Sequence, residues 1–166
     1  MRAHEPMPAL DLAVPAIDTD APEIVLRPRF EQTDMMGVIH HSQYLSWFEE
    51  ARFRFMEEVL AVSIPEMIEQ RVYMPVVDCR CRYLRSVSWA DAVAIQTRMD
   101  RRIGPSFSFH HRARLAGSGT EVAAGVTRHV FTDASLRLKL TVPEFYRRKW
   151  AAAALRHPEA FRSALA

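Results

Sequence analysis

The segment Gln32-Thr33-Asp34-Met35-Met36-Gly37-Val38-Ile39-His40-His41-Ser42-Gln43-Tyr44 sets a carboxylate, a glycine and two histidines within one short stretch. A carboxylate so placed is the residue type that serves as a base or a nucleophile, and the glycine marks a turn beside it. The residues that follow are helical in pattern. Tyr44, Trp47, Phe48, Ala51, Phe55 and Val59 recur at three- and four-residue steps, and Glu49, Glu50, Arg52, Arg54, Glu57 and Glu58 occupy the positions between, as solvent or a salt-bridged surface requires. The first N–H groups of such a helix lack an intrahelical acceptor, so an amide at His41 or Ser42 would face the same connection and serve an oxyanion. Ser42 is the expected N-cap. Plainer readings stand beside these: Asp34 as a turn or capping aspartate, Gly37 as an ordinary turn residue, His41 as a hydrogen-bonded structural histidine, His40 as loop surface.

The elements around this segment follow from periodicity. A strand-like run, Glu23 to Phe30, precedes it. After the helix the period changes from 3.6 to 2: Val77, Cys79, Cys81 and Tyr83 form one alternating set, Val93, Ile95, Thr97 and Met99 a second, Phe107, Phe109, His111, Ala113 and Leu115 a third, and residues 122–131 a fourth. Ser88 to Asp91, Arg102 to Pro105 and Ala116 to Gly119 are too short to hold a crossover helix, so the strands are antiparallel. The expectation is an α+β architecture: a strand, a long helix, then a four-strand meander, giving a five-stranded antiparallel sheet wrapped on the apolar face of residues 42–60. Pro143 to Leu155 predicts an extra helix ended by Pro158.

A chain of 166 residues with 49% hydrophobic content can bury one full core. The expected division is an N-terminal arm over 1–22, rich in proline and acid, a domain over 23–148 and a helical tail over 149–166. A net charge of +2 is too balanced for nucleic-acid binding. No apolar run spans a bilayer, and the acidic start is unlike a secretory leader, which predicts a cytoplasmic protein without membrane insertion. Cys79 and Cys81 share one strand face and are read as buried packing, since no second cysteine pair supports a metal.

The chain resembles the hotdog-fold acyl-CoA thioesterases, in the 4-hydroxybenzoyl-CoA thioesterase-like family, over residues 23–148. The resemblance rests on Thr33-Asp34-x-x-Gly37-x-x-x-His41-x-x-Tyr44 continuing into Phe48-Glu49-x-Ala51-Arg52. Tyr83-Leu84-Arg85, Arg102 to Phe107 and Gly125 to Val130 support it in order and texture. It implies that Asp34 is the catalytic carboxylate, acting on a thioester as nucleophile or as general base, with the His41 amide and helix dipole at the oxyanion and Gly37 admitting the carbonyl. It places Arg101, Arg102 and Ser106 at coenzyme A phosphates, with Arg85 and Arg128 as further candidates. It also implies a homodimer or homotetramer, in which Met74, Pro75, Val76 and Val77 of a neighbour border the acyl group. Tyr44, Trp47 and Phe48 either line that pocket or pack as core. Glu49 is read as a partner of Arg52. Met35-Met36 and Pro105 depart from the family pattern.

The function so implied is hydrolysis of an acyl-CoA to a carboxylic acid and free coenzyme A, the coenzyme being part of the substrate and no cofactor or metal being required. The alternatives are action on acyl carrier protein thioesters, a non-catalytic acyl-CoA-binding or dimeric assembly module, and a hotdog dehydratase.

Overall fold

A computed structural model describes residues 22–162; the N-terminal arm therefore lies outside the described residues except for Pro22. The elements run β1 (Glu23–Leu26), α1 (Gln43–Glu58), α2 (Ile64–Glu69), β2 (Val76–Tyr83), β3 (Val93–Asp100), β4 (Ser106–Leu115), β5 (Glu121–Val130), α3 (Glu144–Arg156) and β6 (Phe161–Arg162).

Five strands form an antiparallel path in the order β1-β3-β4-β5-β2, and α1 packs on one face of it, as the hotdog resemblance implies. The expected four-strand meander is corrected: only β3-β4-β5 is one. The chain from Leu84 to Ala92 carries it from β2 at one edge to β3, so β2 pairs with β5 and β1 takes the place beside β3. β2 lacks a neighbour on its other edge among the described residues. Two residues of β6 add to β3 in parallel, Met99 facing Phe161, a strand too short to leave a period in the sequence.

The predicted apolar stripe of α1 is buried at every position, from Tyr44 and Trp47 through Phe48, Ala51 and Phe55 to Val59. Facing it are Val93, Ile95, Thr97 and Met99 of β3, Phe107, Phe109, His111 and Ala113 of β4, and Val122, Thr127 and His129 of β5. Phe48 seats over Gly125, where the sheet has no side chain, and stacks on the His111 ring with centroids 4.7 Å apart. The outer sheet face is ionic instead. Glu23 pairs with Arg114, Glu121 with Arg112, and Asp100 with His110 at 2.8 Å.

Arg52 departs from the expected solvent face. It is 6% exposed, lies over the Phe53 ring and reaches Glu49 at 3.1 Å, the partner expected for it. Ser42 takes the N-cap position in helical conformation and makes no capping bond; its hydroxyl meets His40 Nδ1 at 2.8 Å. Cys79 is exposed and Cys81 half-buried, because β2 is an edge that no second element covers on that side. The unforeseen α2 is capped by Ser63, whose oxygen accepts from Glu66 N–H, with Pro65 in the first turn. α3 ends before Pro158 as expected, and buries Tyr146 and Ala153 against Phe107 and Phe131.

Candidate active site

The Asp34 segment folds as a small hairpin. Thr33 bridges Ile39, Asp34 N–H donates to Val38 O at 2.8 Å, and Gly37 N–H returns to Asp34 O at 3.0 Å. Gly37 closes the turn at φ +74°, the left-handed region that glycine enters without steric cost. Asp34 Oδ1 accepts the Met36 N–H at 2.8 Å, so the carboxylate does carry the turn role that its plainer reading gives it. That bond engages one oxygen. Oδ2 has no protein partner among the described residues, and the carboxylate is half-buried while Met35 and Met36 stand out in solvent.

Three contacts hold this hairpin in place. His40 N–H donates to Gln32 O at 2.9 Å and closes it, Gln32 Nε2 donates to Gln43 Oε1 at the start of α1 at 2.9 Å, and Ile39 N–H donates to Val87 O of the β2–β3 connection at 2.8 Å. His41 sits in the turn before α1, exposed, its ring stacked on His40 at 4.1 Å. Its carbonyl accepts the Tyr83 hydroxyl at 3.0 Å, and its N–H has no backbone acceptor among the described residues. Burial, with Cys81 nearby, pushes the Tyr83 hydroxyl up to about 12, so it stays a donor through the neutral range. Tyr44 is buried in the core with its ring 5.2 Å from Tyr83.

The remaining predicted residues divide by position along the sheet. Arg85 follows Tyr83 and donates its N–H to Val122 O at 3.2 Å, at the same end as Asp34. Met74, Pro75, Val76 and Val77 lie at the other end, where Val76 pairs with His129 and Met74 is buried. Arg101, Arg102 and Ser106 lie at that other end too, around the exposed β3–β4 turn, with Ser106 opposite Val130. A groove of about 790 Å³ runs beside that turn, lined among others by Pro105, Lys139, Leu140 and Arg147. Arg128 is on the outer face, 3.9 Å from Asp78. β3, with 8 residues, separates the two ends by roughly 25 Å at a rise of about 3.3 Å each. One protomer thus joins Asp34, Gly37, His41 and Arg85, and holds the Met74–Val77 segment and the Arg101 turn apart from them.

Sequence reasoning passed over a set of buried polar groups beneath α1. Thr97, His111, Thr127 and His129 line the core side of β3, β4 and β5, and are 1%, 1%, 7% and 0% exposed. Burial, with His110, His129 and Arg52 adding to it, holds the His111 imidazole well below the ordinary histidine range. Burial likewise lowers His129 to about 4. Their signal was available, as histidine and threonine at apolar positions of three alternating runs.

The model of the thioesterase-like superfamily matches residues 28–155. A 1,4-dihydroxy-2-naphthoyl-CoA hydrolase from Synechococcus sp. (strain WH7803) is 33% identical over 141 residues, 80% of this chain and 90% of the relative. Among solved structures, the protein TT1821 from Thermus thermophilus superposes with a TM-score of 0.72 at 26% identity, covering 79% of this chain and 98% of that one. A gentisyl-coenzyme A thioesterase does so with a TM-score of 0.68 at 25% identity, covering 76% and 99%. No described helix is long and apolar enough to cross a membrane.

Proposed function

Because the chain belongs to the thioesterase-like superfamily, and is on that ground a thioester hydrolase, we propose that it cleaves an aromatic acyl-CoA to the free acid and coenzyme A, with Asp34 as the reacting carboxylate. The observation that carries this reading is the Asp34 hairpin. Among the described residues its turn uses Oδ1 and leaves Oδ2 open, within a segment pinned to the helix start where the His41 N–H meets no backbone acceptor.

Two routes use that geometry. As a general base, Oδ2 takes a proton from water while the water oxygen bonds to the thioester carbon; the oxyanion then expels the thiolate, which leaves with the proton Asp34 holds. As a nucleophile, Oδ2 bonds to the carbon itself, the thiolate departs, and water opens the mixed anhydride. In both, negative charge develops on the carbonyl oxygen, where the His41 N–H and the N-terminal dipole of α1 oppose it; one such donor contributes about 3 kcal/mol. The bond from Tyr83 to the His41 carbonyl holds the following peptide, between His41 and Ser42, in the same turn.

The complete site needs two chains. β2 leaves its outer edge open, with Val76 47%, Val77 50% and Tyr83 46% exposed, and an open edge of that length pairs readily. Antiparallel pairing of two β2 strands about a twofold axis sets Val76 across from the partner's Tyr83 when they overlap fully. The partner's Met74–Val77 segment then comes to the Asp34 end, and its Arg101, Arg102 and Ser106 follow to meet the coenzyme A phosphates with Arg85. Arg128 takes part only where the nucleotide turns onto the outer face.

The test is free-thiol release from aromatic and aliphatic acyl-CoAs and from an acyl carrier protein thioester, for wild type and Asp34→Asn. Aromatic acyl-CoAs are expected to turn over fastest, and the variant to lose at least about a hundredfold. Undiminished turnover in Asp34→Asn removes the carboxylate from the reaction. Acyl-CoA bound without hydrolysis makes the protein a binding module.

A further inference from the structure

The buried polar groups beneath α1 form one continuous chain. Thr97 Oγ1 lies 3.0 Å from His111 Nδ1, His111 Nε2 lies 3.3 Å from Thr127 Oγ1, Thr127 Oγ1 lies 3.0 Å from His129 Nε2, and His129 Nδ1 lies 3.1 Å from the carbonyl oxygen of Met74. Its direction is fixed from the last link. A carbonyl only accepts, so His129 carries its proton on Nδ1, and Nε2 of the neutral ring takes the Thr127 hydroxyl hydrogen. The Thr127 oxygen then accepts from His111 Nε2–H, which leaves His111 Nδ1 to accept from Thr97. Every hydrogen has a partner, and no other arrangement of neutral rings makes all four contacts hydrogen bonds.

The chain of bonds ends where the β-ladder is interrupted. Tyr73 pairs with Thr132 by two backbone bonds, the β2–β5 pairing resumes at Val76 opposite His129, and a register shift follows between Val76 and Asp78. Met74 lies in the gap, and the donor to its carbonyl is a side chain of the adjoining strand β5, tied in turn to β4 and β3 through Thr127, His111 and Thr97. Leucine or phenylalanine would fill the same volume without desolvating two imidazoles; what they lack is a donor for that carbonyl. Phe48 stacked on His111, and Phe107 and Phe109 against His129, hold both rings in place.

We propose that His129 is a positioning residue for the acyl pocket: fixed by Thr127, His111 and Thr97, it sets the Met74–Val77 segment and through it the size of acyl group accepted. This rests on the reading that the segment walls the acyl site. His129 touches no reacting atom. It acts through the backbone of Met74, and the core of α1 and the sheet thereby dictates a specificity contact at the subunit edge.

Three variants test it: His129→Phe, which keeps the volume and removes the donor; His129→Asn, whose amide nitrogen can reach the Met74 carbonyl as Nδ1 does; and Thr127→Val, which removes the bond that orients the His129 ring and the one that links it to His111. The readouts are amide exchange of Met74 and residues 76–78 and the ratio of kcat/KM for a bulky aromatic acyl-CoA over acetyl-CoA. His129→Phe is expected to speed the exchange and shift the ratio by about tenfold or more, Thr127→Val to move both in the same direction, and His129→Asn to stay within about twofold of wild type. A lower melting temperature with both readouts unchanged reduces His129 to a core residue and overturns the proposal, as does Phe and Asn behaving alike. Faster exchange with an unchanged ratio overturns the specificity role. A wild type that hydrolyses no acyl-CoA sinks the thioesterase reading instead, and the exchange comparison then decides on its own whether His129 sets this segment.

Discussion

The Phe48 ring occupies the space that a side chain at Gly125 would need. A Cβ built at Gly125 stands 2.3 Å from Phe48 Cε2 and 2.9 Å from Cδ2, while the ring lies stacked on His111. With the ring held by that stacking, Gly125→Ala is expected to cost about 1–3 kcal/mol. Urea denaturation measures it, and the added change Phe48→Leu should return part of the loss. An unchanged midpoint for Gly125→Ala would show that the ring moves freely.

Gly37 presents the opposite case. Nothing lies within 4 Å of a Cβ built there, yet its φ is +74°. The cost of Gly37→Ala is therefore conformational, about 1 kcal/mol, and Gly37→Asn should cost less because asparagine tolerates the left-handed region. Equal loss for the two variants would point to a clash rather than to backbone strain. The hydrolysis rate should follow the same order, since the turn sets Asp34.

Val77→Lys places a charge on the open edge of β2, which deters strand pairing. Sedimentation is expected to show a dimer for the wild type and a monomer for the variant, with hydrolysis lost alongside. A monomer that retained full activity would end the two-chain account of the site.

The two buried histidines give a pH dependence of known sign. Their folded pKa lies below the unfolded value, near 6.5: His129 at about 4 and His111 well below it. Between those limits the unfolded chain binds more protons, so stability rises with pH, by about 1.4 kcal/mol per unit for each ring, and falls on acidification. The charged and titratable groups acting on them are Arg52 from α1, which opposes protonation of both, and His110 and His129, which add to the effect at His111. Between about pH 5 and 6.5, His129→Asn should reduce the slope of stability against pH by about half. A slope that the change leaves intact would assign the titration elsewhere.

The readable part of this chain was whatever its own period or punctuation determines. The stripe from Tyr44 to Val59 predicted α1, and the alternation from Val93 to Met99 predicted β3 with its inner face, because each element buries one side. The place of β2 was not readable. An eight-residue strand alternates in the same way whether its neighbour is β3 or β5, and the choice depends on the path from Leu84 to Ala92. Arg52 was misplaced for a related reason: it falls between Phe48 and Phe55 on the helix, close enough to the buried stripe that its stem turns inward while its head reaches Glu49. The Asp34 motif was legible as a turn with an acid in it. Its distance from the Met74 segment was not, since that depends on the direction of every strand between.

That separation has a genetic consequence. If Asp34 works against the Met74–Val77 wall of the other chain, a chain with Asp34→Asn still offers a sound wall, and a chain with a bulky substitution in that wall still offers a sound Asp34. Each is inactive by itself. Mixed and allowed to exchange subunits, half of the dimers pair one defective chain of each kind, and each such dimer contains one intact site, so about a quarter of the wild-type activity should reappear from two dead proteins.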